Sequence, residues 1–141
     1  MRTVQRIEND VDFELAYNIR LEVFVKEQNV PVEIELDEYD KIADHVVAFD
    51  DGAPVGCGRI VFFDEYAKIG RVAVLADKRN SGFGKMVCEE LLKIALERDA
   101  KKVILHAQCI AMEFYERLGF TAEGEIFDDA GIDHISMVKM L

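Results

Sequence analysis

The chain has 141 residues, 50% of them hydrophobic, with formal net charge −11 and a sequence pI near 4.7. That suits a single domain, residues 1–141, with a sizeable core, and the acidic balance argues against nucleic acid as a partner. No stretch approaches the roughly 20 apolar residues of a membrane span, and Met1-Arg2-Thr3-Val4-Gln5-Arg6 lacks the apolar core of a secretion signal. Residues 2–8 read as a first strand, β1. Asn9 or Asp10 can cap a helix, α1, running to about Gln28 with Val11, Leu15, Ile19 and Val23 along one face, and Asn29-Val30-Pro31 stops it. An acidic loop follows, with a short helical turn, α2. Strands are expected at 42–49 (β2) and 54–63 (β3), joined by a hairpin turn at Asp50-Asp51-Gly52.

A strand at 68–75 (β4) carries a nearly unbroken apolar run from Val72, the pattern of a strand buried on both faces. From Gly84 the residues Val87, Cys88, Leu91, Leu92 and Ala95 make one apolar stripe, predicting a helix, α3. A short buried strand at 103–107 (β5) completes a parallel crossover. A helix at 110–118 (α4) ends on Gly119, and strands at 120–126 (β6) and 134–140 (β7) flank an acidic, glycine-containing loop. The class is a mixed α/β (α+β) domain, antiparallel early and parallel in the middle. Cys57, Cys88 and Cys109 match no metal or redox spacing, so no metal is expected, Cys88 reads as a buried free thiol, and a cytoplasmic protein fits.

The most informative stretch is Arg79-Asn80-Ser81-Gly82-Phe83-Gly84-Lys85, between a strand and a helix. The first N–H groups of a helix have no intrahelical partner and carry partial positive charge, and glycines let a ligand approach the backbone. Lys78, Arg79 and Lys85 add base in an acidic chain, which points to a phosphate or pyrophosphate. A tight connection is the plain alternative. The Walker pattern fails because Arg79 stands where its first glycine belongs and Met86 follows Lys85; the dinucleotide pattern fails because Val87 stands where a third glycine belongs. Acid gathers in two places: Glu33, Glu35, Asp37, Glu38 and Asp40, and Asp128, Asp129 and Asp133. These serve solubility, or flank a pocket and draw in a cationic amine.

Arg79-x-x-Gly82-x-Gly84 resembles the acetyl-CoA pyrophosphate motif of the GNAT acetyltransferase superfamily. Gln108-x-x-Ala111-x-x-Phe114-Tyr115-x-x-x-Gly119-Phe120 resembles that superfamily's N-x-x-A-x-x-F-Y-x-x-x-G-F segment, in the right order and at a suitable distance. Residues 20–28 and 131–134 further resemble its small bacterial ElaA/YjcF-like branch. The resemblance implies the GNAT fold, with a mixed sheet of six to seven strands in the order β1-α1-α2-β2-β3-β4-α3-β5-α4-β6-β7.

It also implies an N-acetyltransferase acting on the primary amine of a small acceptor, with acetyl-CoA as cosubstrate. The pantetheine arm would lie between β4 and β5, paired to the backbone of Val72, Ala73 and Val74. The N–H groups of Asn80, Ser81, Gly82, Phe83 and Gly84 would hold the pyrophosphate, with Arg79 and Lys85 supplying charge. Gln108 stands where the family usually has Asn and would reach the arm. A β4 amide near Val72 to Val74 would hold the oxyanion, and Tyr115 would protonate the departing thiolate. No carboxylate stands at Ile69-Gly70-Arg71, where some members place a general base. His134 ranks first for that role, ahead of Glu27, His45, His106, Asp133 or a relayed water. A non-catalytic acyl-CoA sensor or an unliganded scaffold are the rival readings, and a homodimer is the candidate assembly.

Overall fold

Runs of stiff, β-branched residues form one sheet, and the amphipathic segments between them cover its two faces. The computed structural model describes Met1–Leu141: β1 Arg2–Ile7, α1 Asp10–Arg20, α2 Val32–Glu35, β2 Asp44–Asp50, β3 Ala53–Phe62, β4 Tyr66–Val74, α3 Phe83–Glu97, β5 Lys102–Gln108, α4 Met112–Arg117, β6 Thr121–Asp129 and β7 Ile132–Met140. The seven strands run in the order β1-β2-β3-β4-β5-β7-β6, antiparallel throughout except for β4 with β5. No helix is long and apolar enough to cross a membrane.

Asn9 caps α1 by accepting the Asp12 N–H at 2.8 Å. The single α-helix expected to run to Gln28 instead changes at Leu21 into a π-helical segment, Leu21–Glu27, where the Gln28 N–H reaches the Val23 carbonyl at 3.1 Å. The expected stripe holds at Ile19 and Val23, is half-buried at Leu15 and fails at Val11, which is 77% exposed, while Ala16 and Arg20 join the buried face. Arg20 can be buried because its guanidinium finds the carboxylates of Glu35 and Asp40 below the helix.

Two cores result. Between the sheet and helices α3 and α4 lie Val46, Ile60, Ile69, Phe83, Val87, Leu91, Leu105 and Met137, all nearly inaccessible. On the other face Ala16, Ile19 and Val23 of the α1 region pack on Val47, Phe49, Cys57 and Ala73. Fully burying an aliphatic or aromatic side chain is worth about 1.5–3 kcal/mol, so the first cluster dominates stability.

The site is made by one departure from regularity. β4 and β5 pair only from Tyr66↔Lys102 to Ile69↔Leu105, whereas β5 stays on β7 as far as Gln108↔His134. From Gly70 onward β4 therefore has no neighbour on that side, and a cleft opens. This corrects the expectation that Val72 and Val74 are buried on both faces: they are half-buried because the adjoining strand has left. β2 and β3, second and third in the sheet, are the strands buried on both faces.

Candidate active site

The glycine loop is built as its residues require. Gly82, at φ +93°, is the N-terminal cap of α3, and its carbonyl accepts the first helical bond from Met86 at 3.1 Å. A Cβ on Gly84 would stand 3.2 Å from Phe114 Cζ, so the second glycine lets α3 and α4 approach. Phe83 is fully buried, so only its backbone can serve a ligand here.

The charges around the loop are arranged differently from expectation. The Arg79 guanidinium forms a bidentate pair with Glu27 at 2.5 and 2.6 Å, and its Nε donates to the Val74 carbonyl at 2.9 Å. Arg79 therefore braces the loop against the π-helical segment, and the Val74 oxygen expected to meet the pantetheine arm already has a donor. Lys78 is likewise held by Asp50 at 3.1 Å. Arg2, which sequence reasoning missed, bonds the Ser81 carbonyl and lies 4.5 Å over the Phe83 ring. No local pattern signals that arrival, because β1 lies far from the loop in sequence.

At the mouth of the cleft Gln108 exchanges amide bonds with Gln28 at 2.8 and 3.3 Å, tying the end of the π-helical segment to the end of β5. Gln108 is thus placed at the opening, as expected, but engaged by a side chain. Tyr115 projects from α4 into the main core, edge-on to Phe114 and Phe120 at 5.0 and 6.1 Å. Burial pushes its phenol well above the usual tyrosine range, so it keeps its proton at neutral pH.

His134 lies opposite Gln108 on β7. Its Nδ1 is 2.7 Å from the Ile132 carbonyl, and its ring stacks on Phe127 at 5.9 Å. A proton on Nδ1, assigned from that carbonyl partner, leaves the Nε2 lone pair available. The alternative bases fare less well. Glu27 is held below the usual carboxylate range by its bonds to Arg79. His45 is buried with Nε2 3.0 Å from the Asp40 carbonyl. His106 has its side chain largely in solvent, edge-on to Phe127 at 5.0 Å, and partial desolvation of the ring with the nearby Lys68 charge lowers its pKa. Asp133 lies exposed near the β6–β7 turn.

The first acidic segment proves largely structural. Arg20, 1% exposed, holds Glu35 and Asp40; Arg59 holds Asp37 and Asp40 at 2.6 and 2.8 Å; Arg71 holds Glu35 at 2.8 Å and Asp37 at 3.3 Å. Three arginines thus neutralise three carboxylates, correcting the expectation that Asp37 and Asp40 stand free to attract a substrate. Burial raises Asp40, but its bonds to Arg20 outweigh burial and hold it well below the usual range. For Glu35 the balance reverses, and burial prevails over Arg71 and Arg20 to push its pKa up.

A cleft between diverging β4 and β5, a glycine loop opening α3 and a Phe-Tyr helix beyond it define an acyl-CoA transferase fold. The sequence profile of the Acetyltransferase (GNAT) domain matches residues 8–141. The chain therefore belongs to the GNAT acetyltransferase family and is an acyl-CoA-dependent N-acyltransferase. Within the family it falls in the small bacterial ElaA/YjcF-like branch. It is 42% identical to the uncharacterized N-acetyltransferase YjcF of Bacillus subtilis, over 93% of this chain and 94% of that one. The crystal structure of Escherichia coli ElaA superposes with a TM-score of 0.87 at 28% identity, covering 99% of both chains. A GNAT family acetyltransferase from Elizabethkingia anophelis with acetyl-CoA bound shares the fold at a TM-score of 0.75 and 17% identity, over 99% of this chain and 98% of that one.

Proposed function

We propose that this chain transfers an acetyl group from acetyl-CoA to the primary amine of a small acceptor by direct attack on the thioester. The observation that carries the reading is the opening of β4 from β5 after Ile69↔Leu105, with the glycine loop near one strand end and Gln108 and His134 at the other. Backbone N–H groups from Asn80 to Gly84, aided by Lys85 and Arg2, hold the pyrophosphate; Arg79 acts by bracing the loop. The arm lies along Val72–Val74 and against Gln108.

His134 Nε2 takes a proton from the acceptor ammonium, directly or through water. The free amine attacks the carbonyl carbon, and the oxyanion rests on a β4 amide near Val72. The C–S bond then breaks, the Tyr115 hydroxyl protonates the departing thiolate, and the second proton, shed by the nitrogen as it becomes an amide, returns through water to the Tyr115 oxygen. Unpaired Glu33, Glu38, Asp128 and Asp133 favour an acceptor that arrives as an ammonium ion. The test is a screen of primary amines with acetyl-CoA, following thiol release. Release with one structural class of amine supports the reading. Acetyl-CoA binding without release from any amine overturns it in favour of a sensor.

A further inference from the structure

Arg71 is the one non-glycine residue inside a strand with a left-handed backbone, at φ +52°. The other five, Asn29, Asp51, Asn80, Asp99 and Ala130, stand in turns or beside helix ends. An arginine gains nothing locally from that conformation, so something tertiary must hold it there. The ladder shows what the conformation does. Cys57 pairs with Ala73 and Arg59 with Gly70, so Arg71 and Val72 together oppose Gly58 in a bulge. A Cβ on Gly58 would come within 2.7 Å of Val87 and 2.9 Å of Leu91, so glycine is what lets β3 lie close against α3 opposite the bulge.

The bulge turns the pleat over. Before it, Ala67 and Ile69 face the α3 core; after it, Ala73 faces the α1 core, while Val72 and Val74 take over the α3 side. This inversion falls directly after β4 loses β5, where the strand is to serve a ligand. The Arg71 side chain is anchored away from the strand. Its Nε lies 2.8 Å from Glu35 Oε2 and 3.2 Å from the Glu35 carbonyl, and Nη2 reaches that carbonyl at 3.1 Å and Asp37 Oδ2 at 3.3 Å. Because α2 is one turn long, its last carbonyls have no helical partner, and the arginine fork satisfies them.

We infer that Arg71 is a positioning residue, whose tether to Glu35 and Asp37 holds the bulge that aims the Val72 amide at the thioester oxygen. This rests on the reading of β4 as the source of the oxyanion donor. It also makes the loop around α2 a support for the reaction, although none of its side chains need touch the cofactor.

Two variants test it. Arg71→Gly accepts the left-handed conformation without strain but removes the tether, and Arg71→Lys keeps the charge without the planar fork. Hydrogen exchange with acetyl-CoA bound should show Val72 and Asn80–Gly84 protected in the wild type. In Arg71→Gly the loop stays protected while Val72 exchanges faster. Turnover then falls about 10–100-fold, as expected of a misplaced donor, with KM for acetyl-CoA nearly unchanged. Arg71→Lys lies between, and added guanidinium ion restores part of the Arg71→Gly loss. Val72 protection indifferent to both substitutions, or affinity and turnover falling together, overturns the inference alone. Absence of loop protection in the wild type overturns the cofactor site, and this inference with it.

Discussion

Gly82 and Gly52 form a matched pair that separates strain from ligand binding. Gly82 caps α3 at φ +93°; Gly52 turns the β2–β3 hairpin at φ +87°. A Cβ would meet nothing within 4 Å at Gly52, and only the guanidinium end of Arg2 at 3.4 Å at Gly82. Valine at either position therefore incurs the same backbone penalty, about 1–3 kcal/mol, and a similar fall in Tm, roughly 4 °C per kcal/mol at this chain length. Only at Gly82 does the substitution also disturb amides that hold a pyrophosphate. A charge-assisted bond contributes about 1.5–3 kcal/mol, so losing one raises Kd for CoA by roughly 10–100-fold. Calorimetry on both variants decides the matter: Gly82→Val should lose affinity and Gly52→Val should keep it. Unchanged affinity in a folded Gly82→Val, or equal losses in both, refutes the loop assignment.

Tyr115→Phe keeps the edge-on packing with Phe114 and Phe120 and removes only the hydroxyl. Turnover should fall about 10²–10⁴-fold with CoA affinity preserved; wild-type turnover would make Tyr115 a core residue only. Asp40→Asn weakens the pairing of buried Arg20 and Arg59 and should destabilise by about 3 kcal/mol, whereas Glu38→Gln, on an exposed side chain, stays within about 0.5 kcal/mol. Because the folded pKa values of Asp37 and Asp40 are depressed, their stabilisation is present above the ordinary carboxylate range and is lost as pH falls through the folded values. Urea unfolding below about pH 4 should therefore show a shallower acid limb in Asp40→Asn than in the wild type. Cys57 and Cys88 are buried with thiols pushed up to about 12, so brief treatment with N-ethylmaleimide should modify Cys109 alone, as mass mapping would report.

Local patterns were enough to place the strands, α3, the glycine loop and the Phe-Tyr helix. Each depends on short-range chemistry: β-branched runs, a stripe at three and four residues, glycines where φ must be positive or helices must meet. Boundaries moved by a few residues, as at β4, which begins at Tyr66. The charge partners were not legible. Glu27 with Arg79, Gln28 with Gln108 and Arg2 with Ser81 join segments at least 52 residues apart, and nothing in either segment names the other.

The acidic run 33–40 looked like surface because its composition is that of a surface. Its role depends on Arg20, Arg59 and Arg71 arriving beneath it from α1, β3 and β4. The sequence by itself determined the family through the likeness of its two motifs, and the order of elements and the candidate cofactor loop through periodicity and backbone permissiveness. Only the tertiary structure decided which charges are free and which are spent. Ion pairing depends on distance in space, and the long side chains of arginine and glutamate meet only after the sheet has brought their strands together.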